Sequence, residues 1–372
     1  MPPKGKIFGI LFLCCGALAA QDAAREAGVA REANRLDEAV LLYRKAVAEN
    51  PKWTEGWWYL GTLLYDRDDY AGAARAFEKT CALDSSNGGA QVMLGLTEAK
   101  LNKNADALEH LRNGRKLGIP DDPQLRQVTL FTLGTLWLER GIRSDFEDAQ
   151  EALDALARQG VESEELTDAL GLAVLYTRPP GFDPQLARAA GRAEILAARR
   201  QVADALTRYK QLAADYPKVS GVQFAYGKFL LAHNEDAEAL EVFQREIQNT
   251  PNHVLARLCV AGVIAQNSAQ TSAQTSAQDP ASESALGLRY AQEALKLAPE
   301  LPEAHYLVGV LQLDAGEPLR AIAELESAQR AEPEEAKVYF ALSRAYAKVN
   351  RKEDAARARA TFARLNAMAP HE

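Results

Sequence analysis

The sequence is poor in aromatic residues, at 7% of 372, and holds only four cysteines. A β-rich core draws heavily on aromatic and β-branched side chains. Their shortage, beside abundant Ala and Leu, therefore points to helix. Cysteine is too sparse for a disulfide framework. Cys14 and Cys15 fall in a leader-like segment, which leaves Cys81 and Cys259, each beside apolar neighbours and expected to be an inert thiol in the core. An excess of basic charge is missing too: 43 Lys and Arg face 51 Asp and Glu, for a formal net charge of −8. Without a basic stripe, nucleic acid is not an expected partner.

Catalytic and metal-binding signatures are also missing. The five histidines (His110, His233, His253, His305 and His371) are scattered, with no His-Glu-x-x-His and no Cys-x-x-Cys pairing. There is no Walker A motif, no Gly-x-Gly-x-x-Gly and no Gly-x-Ser-x-Gly. Acid pairs such as Glu164-Glu165 and Glu334-Glu335 stand at helix starts, where carboxylates complement the dipole. The chain is therefore read as a non-enzyme with no cofactor, no metal and no catalytic residue.

What is present begins with a leader. Lys4 and Lys6 precede the apolar stretch Ile7 to Leu18, and Ala17-Leu18-Ala19 offers the small residues a signal peptidase reads. Residues 1–19 are thus expected to be a signal peptide, cleaved after Ala19 or Ala20, sending the protein to the periplasm or outside the cell. The stretch falls short of the about 20 residues a bilayer span needs, so no stable span is expected after cleavage. The alternative is a membrane anchor formed by the uncleaved segment. A lipidation signal is not met, because Leu13 and Cys14 stand where a small residue should precede the cysteine.

The main signal is self-similarity at a period of 34 residues. Ala39, Ala73 and Ala107 are so spaced, as are Gly61 and Gly95, Ala205 and Ala239, Ala321 and Ala355, Pro217 and Pro251, and Pro299 and Pro333. One unit reads Trp57, Leu60-Gly61, Leu64-Tyr65, Ala73, Phe77, Ala82. The glycines fall where two helices would cross closely, and the alanines answer them from the second helix. Tyr43, Phe77, Tyr209 and Phe243 are expected to fill the space between neighbouring helix pairs. Pro51, Pro217, Pro251, Pro299 and Pro333 end second helices. The pattern resembles the tetratricopeptide repeat family, whose unit is a helix–turn–helix. That resemblance implies an all-α fold, a right-handed α-solenoid of about nine to ten stacked units.

Units are placed at 20–53, 54–87, 88–121, 127–163, 186–219, 220–253, 254–301, 302–335 and 336–369. Two irregularities interrupt them. Residues 164–177 read as a first helix that Thr177-Arg178-Pro179-Pro180-Gly181 breaks off, a half or degenerate unit. The array is accordingly divided into 20–177 and 186–369, with a Pro/Gly break at 178–185. Pro251 and Pro299 stand 48 apart, one period and 14 residues more. The surplus is the low-complexity run Ser268-Ala-Gln-Thr-Ser-Ala-Gln-Thr, within an insertion at 267–284. With no apolar face to bury, it is expected to be a mobile loop between the two helices of one unit.

In proteins of this family the first helices line a concave groove, and positions 2, 5, 9, 12 and 13 of a unit face it. The resemblance thereby nominates Trp58 and Tyr65 in the unit at 54, Phe224 and Lys228 in the unit at 220, Tyr306 in the unit at 302, and Phe340 and Arg344 in the last. Trp58 is the leading candidate, since Trp57 takes the family's core position and one helix cannot bury both alike. The carboxylate clamp of chaperone-binding relatives is not met at either end, where only Lys337 fits. The implied function is an exported scaffold binding protein or peptide partners in the cell envelope. The alternatives are an assembly factor for secretion, pilus or outer-membrane complexes, or a non-catalytic subunit of an envelope enzyme.

Overall fold

The structure, a computed structural model, describes residues 22–176, 183–271 and 280–368. The expected signal peptide lies outside the described residues. Among those described every regular element is a helix, and they form two compact units, divided between Arg200 and Gln201.

The first unit begins with α1 (22–32) and α2 (Leu36–Glu49). There follow α3 (Thr54–Tyr65) with α4 (Tyr70–Leu83), α5 (Gly88–Lys100) with α6 (Asn104–Leu117), α7 (Pro123–Arg140) with α8 (Arg143–Arg158), and α9 (Glu164–Val174) with α10 (Pro184–Ala198). In the second unit α11 (Val202–Asp215) packs on α12 (Val222–Ala232), the partner of α13 (Asp236–Asn249). Three more pairs complete it: α14 (Val254–Thr271) with α15 (Pro280–Leu297), α16 (Pro302–Asp314) with α17 (Pro318–Ala331), and α18 (Ala336–Lys348) with α19 (Lys352–Met368). Each unit is a stack of helix pairs.

Local chemistry sets the turns. Asn34, Asp68, Asn102, Asn234 and Asn350 each take a left-handed conformation, with φ between 55 and 62°. Asn and Asp tolerate that region better than other side chains. Asp69 then caps α4 by accepting from the Gly72 amide at 2.9 Å. Second helices stop two residues before Pro51, Pro217, Pro251, Pro299 and Pro333.

The 34-residue pattern is the packing pattern. Ala39, Ala73, Ala107, Ala205, Ala239, Ala321 and Ala355 are fully buried. A Cβ on Gly61 would meet the Phe77 ring at 2.7 Å, and one on Gly309 would meet Leu325 at 2.6 Å. Phe77 and Phe243 thus lie on the glycine of their own pair. Tyr43 and Tyr209 reach the following pair: Tyr43 sits 5.9 Å from Trp53 and 5.8 Å from Tyr59, and Tyr209 lies 4.9 Å from Phe229. The expectation that all four rings fill inter-pair space is corrected for Phe77 and Phe243.

Three boundaries differ from the sequence reading. The helix at 164–177 is not left alone: α10 crosses it so closely that a Cβ on Gly171 would stand 1.8 Å from the Ala187 carbonyl, and one on Gly191 1.8 Å from that of Thr167. The chain divides between Arg200 and Gln201, inside the segment read as one unit, and not within 178–185. The insertion at 267–284 is not wholly a loop either. Its run of good helix formers, Ala and Gln, carries α14 to Thr271, and α15 begins at Pro280. Residues 272–279 lie outside the described residues.

Candidate partner-binding surface

The nominated residues all sit on first helices, and their surroundings sort them. In the first unit, the Trp58 indole is half-buried, tilted against Phe77 with centroids 5.6 Å apart. On its far side a Cβ added to Gly89, at the start of α5, would lie 3.6 Å from the ring edge. Trp57 is half-buried as well, its Nε1 donating to the Pro51 carbonyl at 2.9 Å. Tyr65 meets Tyr70 edge-on at 5.4 Å, and burial pushes its hydroxyl pKa up. The Arg31 guanidinium of α1 covers the Tyr59 ring at 3.8 Å, a cation–π contact whose partners stand too far apart in sequence for spacing to reveal.

In the second unit Phe224 is 2% exposed, held between Phe243 at 5.9 Å and His253 at 4.7 Å. It offers a ligand no surface, and its nomination as an accessible anchor is corrected. Lys228 is half-buried, its ammonium 5.9 Å from the same ring.

The nominated residues of α16 and α18 come together. Tyr306 is half-buried under the Lys337 ammonium, 5.1 Å from its ring centroid, and Lys337 is bonded to Glu303 at 3.0 Å. Burial would lower the Lys337 pKa, but the Glu303 bond and the nearby carboxylates outweigh it and hold the value above normal. Arg344 pairs with Asp314 at 3.2 Å, and the Lys348 Nζ donates to the Leu313 carbonyl at 3.4 Å. Phe340 is 49% exposed, its ring 5.4 Å from that of Phe362 of α19.

These placements share a logic. Trp58, Phe224, Tyr306 and Phe340 hold the same place in their repeats. The first three are covered by the start of the next pair, through Gly89, His253 and Lys337. No described helix follows α19, and Phe340 keeps half its surface. This repeat position is therefore mainly an inter-pair packing position.

Among the described residues no group of three or more His, Cys, Asp or Glu could hold a metal ion, and no helix is long and apolar enough to cross a membrane. Cys81 and Cys259 are half-buried thiols, and burial raises the Cys81 pKa to about 11. The thiolate that would make Cys81 reactive is thus disfavoured.

Two stretches, residues 18–88 and 190–254, match the family model for the tetratricopeptide repeat. These two stretches carry tetratricopeptide repeats. No curated protein matches it. Among solved structures it is similar to residues 41 to the end of MamA from Desulfovibrio magneticus RS-1, at 19% identity over 48% of this chain and 92% of that one, with a TM-score of 0.40. It is also similar to TTC0263, a thermophilic repeat protein of Thermus thermophilus, at 20% identity over 49% and 90%, with a TM-score of 0.38. Yeast Tom70 aligns at 12% identity over 95% and 93%, with a TM-score of 0.32.

Proposed function

We propose that this repeat protein is an exported, non-catalytic scaffold that binds a protein or peptide partner in the cell envelope through the first-helix faces of its pairs. The observation that carries the reading is Phe340, an aromatic ring half open to solvent on the helix that also presents Lys337 and Arg344. Aromatic and arginine side chains are the types that most often carry binding energy at protein interfaces. In the second unit Tyr306, Arg344 and Phe340 form the centre of this face and Lys228 adds what surface packing leaves it; Trp58 and Tyr65 belong to the first unit's own first-helix face. Export rests on Lys4 and Lys6, the apolar stretch Ile7 to Leu18, and the small residues of Ala17-Leu18-Ala19.

The test is in-cell crosslinking, purification from the envelope fraction and sequencing of the mature N-terminus. Wild type is compared with Phe340→Ala, Arg344→Ala and Tyr306→Ala. The expected result is a chain starting at Ala20 or Gln21 and one enriched partner that Phe340→Ala loses while its melting temperature falls by no more than a few degrees. A chain retained in the cytoplasm overturns export. An identical partner set in all variants overturns the face.

A further inference from the structure

A second surface lies on a second helix, away from the first-helix faces. Along α6 the residues Asn104, Leu108, Arg112 and Lys116 recur every fourth position, one continuous stripe over the whole helix. The stripe forms one wall of a cleft of about 990 Å³, and the last turn of α7 closes the other side. That volume lies at the upper end of the range of small-ligand pockets, about 300–1,000 Å³.

The elements around the cleft depart from the commonest repeat lengths. Five residues, Gly118 to Asp122, link α6 to α7, where four usually link one pair to the next. α7 itself runs 18 residues, against 12 for α3 and 13 for α5. Its extra turn overhangs the start of α6.

The chemistry of the cleft is graded along its length. At the Asn104 end the polar groups satisfy one another. Asn104 Nδ2 donates to Glu139 at 2.8 Å, and Arg140 grips the buried Asp145 through two bonds of 2.7 and 2.5 Å. The floor is apolar, made of Leu108 and Leu136, both buried. At the other end Arg112, Asn113 and Lys116 are exposed. Among the described residues neither Arg112 nor Lys116 has a hydrogen-bonded or ion-paired carboxylate. Asp148 of α8 feels Arg112 only through space. Other surface cations do find a carboxylate, as Arg115 with Glu151 and Lys337 with Glu303.

We infer that this cleft binds an extended, acidic peptide segment of a partner protein, with a carboxylate on Arg112 and Lys116 and an apolar side chain on the Leu108–Leu136 floor. The stripe from Asn104 to Lys116 rises about 18 Å, at about 1.5 Å per residue. An extended chain covers that in about five or six residues, at about 3.3 Å each. Arg112 and Lys116 select a carboxylate at their own end; Glu109 and Glu139 also line the cleft and leave the rest of it to uncharged side chains of the segment. The site is independent of the face proposed above, whose named residues lie on other helices.

The test uses the full chain and fluorescence polarisation, with a labelled hexapeptide of alternating glutamate and leucine as probe. A lysine–leucine hexapeptide is the control. Saturable binding of the acidic probe is expected, weakening with salt, and lost about tenfold or more when Arg112→Glu and Lys116→Glu are combined. Lys45→Glu combined with Lys79→Glu, the same charge change on exposed residues of the same unit, should leave binding within about twofold. Should the first double variant melt early, Arg112→Gln with Lys116→Gln is read in its place. The proposal is overturned if the acidic probe does not saturate, if both peptides bind alike, or if the two charge-reversed variants lose binding equally.

Discussion

The ring of Phe77 lies against the backbone of Gly61, where a Cβ would come within 2.7 Å of it. Gly227 and Phe243 repeat the relationship at 2.5 Å. At Gly171 the neighbour is a backbone carbonyl, that of Ala187 at 1.8 Å, which cannot swing aside. Gly61→Leu should therefore cost about 1–3 kcal/mol by overpacking, and Gly171→Ala should cost at least as much despite adding a single methyl. Gly28 has nothing within 4 Å of its would-be Cβ, so Gly28→Ala should stabilise, by about 0.5–1 kcal/mol of helix propensity. Denaturant unfolding of the three variants checks the order. An unchanged midpoint for Gly61→Leu would count against the packing register.

Phe224 and Phe340 hold the same repeat position with opposite surroundings, 2% and 49% exposed. Truncating the first opens a cavity between Phe243 and His253, so Phe224→Ala should cost about 3–5 kcal/mol. Phe340→Ala gives up one half-exposed ring contact and should cost about 1 kcal/mol or less. Comparable losses in the two would sink the idea that this position is covered by the following pair.

The contrast shows what the chain order reveals and what it hides. Period, glycine crossings and proline stops are local, so Gly61, Ala73 and Pro251 could be assigned from spacing alone. Coverage is not local. Trp58 can be put on a first-helix face from its number, but room for its ring depends on Gly89, whose missing side chain belongs to the next pair. The pairing of α10 was hidden for a related reason. Arg200 takes a positive φ of 61° in register with Asn234, so the segment before it reads as a first helix. The crossing at Gly171 and Gly191 shows the same segment closing on α9.

A buried carboxylate organises the start of α12. Glu246 is fully buried and accepts from the Gly221 amide at 2.9 Å and the Phe224 amide at 3.3 Å, with His253 Nε2 at 3.8 Å. It caps the helix from α13, two helix-start donors at once, beside a glycine at φ 88°. Glu246→Ala strands both amides in the interior and should destabilise the second unit by about 2–4 kcal/mol. Glu246→Gln keeps one acceptor and should recover part of that loss. Equal stability of wild type and Glu246→Ala in denaturant would refute the capping role.

Stability should also carry a pH signature from His110. Its Nδ1 lies 2.7 Å from the buried carboxylate of Glu98, and this bond raises its pKa above the ordinary 6.5, against the opposing effect of burial. A histidine whose folded pKa exceeds its unfolded one binds its proton more tightly when folded. Its stabilisation is complete below pH 6.5 and drains away as pH rises through the raised value. As pH rises above 6.5 and through the raised value the wild-type unfolding midpoint should therefore fall more than that of His110→Gln, and below pH 6.5 the two pH profiles should run parallel. Parallel profiles throughout would mean that the proton is not shared with Glu98 in the folded chain. A steeper fall in His110→Gln would reverse the sign of the coupling.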